Sequence, residues 1–165
     1  MKQDETLTVT VEALAPGLLR YCLGRSGDAA LAEDAAQEAL AALVQRWRHR
    51  GAPRQPAAFV FAIARRRLGR AQARGRRWLP LTAVPEPTGA APALRQVESR
   101  VALERTLQHL AQLPEPEREA LLLTLSGGLS TAAAAKVLGV SPSAVKMRVH
   151  RARQRLVQRQ EKTDG

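Results

Sequence analysis

Apolar residues recur at helical spacing along most of this chain, and the clearest run lies near its end. Val145, Val149, Ala152 and Leu156 fall three and four apart, which predicts a helix with a single core-facing stripe. Its start is marked by Ser141, whose hydroxyl can cap free backbone N–H groups. Pro142 follows at the first helical position, where a missing N–H does no harm. Just upstream, an Ala-rich helical run leads into Leu138-Gly139-Val140, a turn in which Gly139 suits a left-handed backbone. Residues 130–156 therefore read as a helix-turn-helix.

The remaining segments are helical too. Val11, Leu14, Leu18 and Cys22 set a period over residues 9–23, which Pro16-Gly17 should interrupt, giving one broken or two short helices. Residues 29–48 form a long amphipathic run with Leu31, Ala35, Ala39, Ala42, Leu43 and Trp47 on its core face; Glu33, Asp34, Gln37 and Glu38 cluster opposite. After Gly51, Pro53 and Pro56, residues 57–77 start apolar and end with seven arginines and no acid between Arg65 and Arg77. Pro80, Pro85, Pro87, Gly89 and Pro92 exclude a helix over 79–93. Beyond them, Val97, Val101, Leu103, Leu107 and Leu110 mark a further helix. Glu115, Glu117 and Glu119 then open another, where the macrodipole favours acids, with Leu121, Leu122 and Leu125 as its buried side. The expected fold is all-α: two small helical domains, residues 1–78 and 94–165, joined by a flexible Pro-rich linker over 79–93, the second domain containing the helix-turn-helix.

Composition agrees, since aromatics make up only 3 % and support for a sheet is weak. The formal charge of +11 points to a polyanionic partner, with nucleic acid the default. One cysteine, Cys22, has no disulfide partner and sits in an apolar stretch, as packing in a reducing compartment requires. No leader or long uncharged segment is visible, so a cytoplasmic protein without membrane insertion is expected. His150 lacks neighbours at ligand spacing, and no catalytic set or phosphate loop is present. Neither a metal, a cofactor nor enzymatic activity is expected.

Off the apolar stripe of the last helix lie Ser143, Lys146, Met147, His150, Arg151 and Arg153, where a recognition helix meets base edges and phosphates. A cation run by itself is usually a solvated helix face, and an acidic patch likewise. The capped helix-turn-helix ahead of the cations favours DNA. The Arg65 to Arg77 run projects a second positive field suited to phosphates.

Three motif blocks carry a resemblance across nearly the full length. Ala32-Glu33-Asp34-Ala35-Ala36-Gln37-Glu38-Ala39-Leu40, Phe59-Val60-Phe61-Ala62-Ile63-Ala64-Arg65, and Leu113-Pro114-Glu115-Pro116-Glu117-Arg118-Glu119 with the helix-turn-helix resemble the extracytoplasmic-function (ECF) group of bacterial RNA polymerase sigma factors. The resemblance implies that Glu33, Asp34, Gln37 and Glu38 dock on the clamp helices of the polymerase core. It also implies that Arg65, Arg66, Arg67, Arg70 and Arg74 meet the minus-10 element. Ser141, Ser143, Ala144, Lys146, Met147, Arg148, His150, Arg151 and Arg153 would then meet the minus-35 element. The partners implied are RNA polymerase core, through its clamp helices and flap, promoter DNA and an anti-sigma factor. Arg66 and Arg70 stand where the family usually has Asn and Asp. Ala132 to Ala135 stand where it favours a Glu-Ile pair, which predicts a slimmer first helix with weaker core contact. A stand-alone helix-turn-helix regulator is the alternative; it needs no acidic docking patch. A charge-driven nucleic-acid coat is a further one.

Overall fold

The computed structural model describes the backbone of residues 2–74 and 93–163 and the side chains of residues 4–74 and 99–159. Among these, every regular element is a helix: α1 (Lys2–Ser26), α2 (Ala29–Arg50), α3 (Pro56–Ala73), α4 (Ala93–Ala111), α5 (Glu115–Leu125), α6 (Thr131–Leu138) and α7 (Pro142–Thr163). The linker expected over 79–93 lies outside the described residues except for Ala93, which opens α4; Arg76 and Arg77 lie outside them as well.

Helices α1, α2 and α3 pack on one another. The α1–α2 corner is built locally: Gly27 takes a left-handed φ of 66°, and the Asp28 carboxylate accepts the Leu31 N–H at 2.9 Å. Leu31, Ala35, Ala39, Leu43 and Trp47 are buried as their period predicts. Pro16, however, does not break α1, which runs as one helix of 25 residues. Pro16 and Glu12 are both exposed, so water can take the Glu12 carbonyl that a residue-16 N–H would otherwise bond.

The second group centres on α5, α6 and α7. Ser130 accepts the Ala133 N–H at 3.1 Å, Gly139 closes α6 at φ 67°, and Ser141 accepts the Ala144 N–H at 3.2 Å. The helix-turn-helix thus forms through the caps its sequence carries. Val145 and Ala152 are fully buried, and Val149 and Leu156 half-buried. The apolar pattern is not followed everywhere. Leu125 is 59 % exposed while Leu123 takes its place in the core, and Val101 points outward.

The two groups also pack against each other: α1 and α3 meet α5 and α6, and one apolar cluster runs from Leu18 and Phe61 through Leu122 and Leu123 to Ala135 and Val145. Ala134 and Ala135 are buried, so the slim face of α6 is covered after all, with α3 packing on α6 in addition to α7.

Candidate polymerase and promoter interfaces

Helix α7 separates its cations by position. Near its N-terminus Lys146, His150, Arg151 and Arg153 are exposed, together with Ser141, Ser143 and Met147, whereas Ala144 and Arg148 are half-buried. Lys146, His150 and Arg153 line an open groove of about 310 Å³ whose opposite side is Thr124 of α5 and Thr131 at the start of α6. Toward the C-terminus the cations turn inward instead. Arg155 pairs with Glu117 at 2.9 Å, and Arg159 donates to the Gln112 carbonyl at 3.2 Å, tying α7 to the α4–α5 corner. The outward cations lie at the end of the helix that enters a groove in such motifs.

On α2, Glu33, Asp34, Gln37 and Glu38 are all exposed, on the side opposite the buried alanines. Along α3, Arg66 and Arg70 are exposed and Arg74 caps its end. Two arginines of this row are engaged within the protein. Arg67 pairs with Glu38 at 2.8 Å, joining the acidic patch to the basic one, and Arg65 pairs with Glu119 of α5 at 2.8 Å.

That last contact belongs to a charged junction between the two helical groups. The Glu119 Oε1 oxygen accepts from the Tyr21 hydroxyl at 3.2 Å, from Arg25 Nε at 3.4 Å and from Arg65 Nε at 2.8 Å. Arg25, only 3 % exposed, also pairs with Glu115 and donates to Gln72 at 3.1 Å. Tyr21 packs edge-on against Phe61, ring centres 5.3 Å apart. Burial raises the Tyr21 pKa well above its ordinary value, with the Glu119 charge adding to it. Burial lowers that of Arg118, helped by the neighbouring Arg25. At Arg65 burial opposes the charge, but the hydrogen bond and charge of Glu119 outweigh it and the pKa rises. The sequence pattern assigned Glu115 and Glu119 only a helix-start role. The signal for more was Gly17 and Gly24, seven residues apart on one face of α1, where helix interiors otherwise avoid glycine.

Two basic surfaces, a capped helix-turn-helix and a separate exposed acidic edge give the chain the form of a multi-helical DNA-binding protein. Comparison with known proteins narrows this. The family model for sigma-70 region 2 matches residues 10–78, and that for sigma-70 region 4 matches residues 103–156. The chain is 38 % identical over 157 residues to the ECF RNA polymerase sigma factor ShbA of Streptomyces griseus, covering 86 % of this chain and 80 % of that protein. It is 34 % identical over 161 residues to the ECF sigma factor SigD of Mycobacterium tuberculosis, covering 91 % and 74 %. Its fold is similar to that of CnrH in complex with the cytosolic domain of CnrY (TM-score 0.71, 23 % identity, 96 % of this chain and 89 % of that one). It is also similar to that of the sigma factor RpoE in complex with the anti-sigma factor NepR from Bartonella quintana (TM-score 0.70, 22 % identity, 93 % and 96 %). The chain belongs to the ECF group of RNA polymerase sigma factors. It is a non-catalytic subunit that binds RNA polymerase core and directs promoter-specific initiation, which sets aside the stand-alone regulator. Among the described residues no helix is long and apolar enough to cross a membrane.

Proposed function

We propose that residues 1–78 form the domain that grips the polymerase core and the minus-10 element, that 79–93 link, and that 94–165 form the minus-35 reader. In this reading Glu33, Asp34, Gln37 and Glu38 dock on the clamp helices. Arg65, Arg66, Arg67, Arg70 and Arg74 meet minus-10 DNA. Ser141, Ser143, Ala144, Lys146, Met147, Arg148, His150, Arg151 and Arg153 meet the minus-35 duplex, and the same domain meets the polymerase flap. The observation that supports it is the placement of charge: the exposed acids of α2 lie on a different helix from either exposed cation row and touch the α3 row at the single Glu38–Arg67 pair, as separate but adjoining protein and DNA contacts require. An anti-sigma factor is the proposed regulator, in keeping with the complex in which the similar RpoE fold is found.

Lys146→Ala should weaken promoter binding roughly tenfold while core-polymerase affinity holds, and Asp34→Ala should do the reverse. Fluorescence anisotropy on a promoter duplex and titration with sigma-free core measure the two separately. Equal losses in both assays would overturn the division of labour.

A further inference from the structure

We propose that Arg66, Arg70 and Arg74 form a phosphate track: they hold successive phosphates of one promoter strand laid across Gly69, so that this face of α3 grips the minus-10 segment whatever its bases. The inference deepens the minus-10 reading above and rests on it.

Of the cations that α3 and its end carry, two are engaged within the protein, Arg65 by Glu119 and Arg67 by Glu38. Arg66, Arg70 and Arg74 are exposed, and among the described residues no acid pairs with them. Helix α3 itself contains no acid. The three guanidinium groups therefore keep their field for a partner outside the chain, and the planar fork of each fits two phosphate oxygens at once.

Side chains four apart on a helix succeed one another on one face, about 6 Å further along the axis each time. Successive base pairs rise only about 3.4 Å, whereas neighbouring phosphates of one strand, which also wind round the axis, stand roughly twice as far apart. The row keeps step with phosphates and not with bases. Its chemistry agrees. Arg66, Arg70 and Ala73 are the exposed residues of α3, and Arg74 follows at its end. None is aromatic, so the platform on which unpaired bases stack is missing, and none can accept a hydrogen bond from a base amino group. Guanine, which arginine reads through O6 and N7, is the one base such a face could select.

Gly69 sits among these arginines, three residues after Arg66 and one before Arg70, with Ala73 one turn beyond on the same side. Helix interiors disfavour glycine, and the fold makes no use of this one: a Cβ there would meet nothing within 4 Å. The missing side chain instead opens the helix backbone to close approach from outside. A strand whose phosphates are held on either side needs that room.

Holoenzyme assembled from the full chain and sigma-free core tests the track through its affinity for promoter fragments. Replacing three successive phosphates by neutral methylphosphonates, window by window along each strand of the minus-10 segment, should reveal one window that lowers wild-type affinity about tenfold. The double variant Arg66→Ala/Arg70→Ala should lose about as much on unmodified DNA and nothing further in that window. Its loss should be the same for every base substitution in the segment, because phosphates are present whatever the sequence. A loss that disappears when one guanine is replaced would overturn the track in favour of base reading, while leaving the minus-10 assignment of α3 intact. A double variant whose loss is coupled to no phosphate and no base of the segment would overturn that assignment itself. Gly69→Ala supplies the second variant: it should raise the urea midpoint, since Ala favours the helix, yet lower promoter affinity about threefold, since its methyl group stands where the strand passes. Wild-type affinity in Gly69→Ala would overturn the passage of a strand across this face.

Discussion

Cys22 shows how far a single side chain can be taken. Its thiol is fully buried on α1, and burial pushes its pKa up to about 12. The folded state therefore holds this proton more tightly than the unfolded chain, so the stabilisation is complete below about pH 9 and is lost as pH rises toward 12. The raised pKa of Tyr21 acts in the same direction. A three-unit difference corresponds to about 4 kcal/mol when titration is complete. Urea unfolding at a series of alkaline pH values should show falling stability, and Cys22→Ala should flatten that fall. At neutral pH the native thiol should resist a disulfide reagent and react with one equivalent only after unfolding; fast labelling of the folded protein would contradict the burial. The packing role of this residue was legible from its apolar neighbours, because a lone cysteine between Tyr21 and Leu23 has no partner to suggest anything else.

At the scale of elements, legibility followed the range of the interaction. Caps act within four residues, so Gly139 and Ser141 marked the end of α6 and the start of α7 before any packing was known, while Asp28 and Ser130, which the apolar pattern passed over, cap α2 and α6 by the same local chemistry. Pro16 misled because the rule against proline inside a helix assumes the orphaned carbonyl has nowhere to go, and here Glu12 and Pro16 are both exposed, so water can reach it. Pro16→Ala should therefore restore a hydrogen bond at an exposed site without altering the fold. The expected gain is about 1–3 kcal/mol in unfolding free energy, read from the urea midpoint at constant slope. Gly139→Ala should act oppositely, since its φ of 67° is a conformation that a Cβ strains, and about 1 kcal/mol should be lost. No gain from Pro16→Ala would mean that the proline contributes to packing that its exposure does not reveal.

At the scale of the molecule, the junction was the part the pattern could not give. Tyr21 and Glu119 are 98 residues apart, and an acid at a helix start already has a local explanation in the macrodipole. Charge, by contrast, was legible as a total of +11 but not in its distribution between outward and inward cations. That distribution makes a final prediction about salt. Affinity for DNA should fall with rising salt with a logarithmic slope of about −0.9 per phosphate neutralised, so only cations that reach DNA contribute to it. Arg153 is exposed beside the α7 groove, while Arg155, two residues on, is turned to Glu117. Arg153→Ala should make the slope for a minus-35 duplex shallower by about one unit. Arg155→Ala should leave the slope unchanged and lower stability instead, because the half of the pair it leaves behind, Glu117, is buried. Equal changes of slope in the two variants would mean that α7 meets DNA as an undifferentiated charged rod, and the sequence-reading role of its N-terminal half would fall with that result.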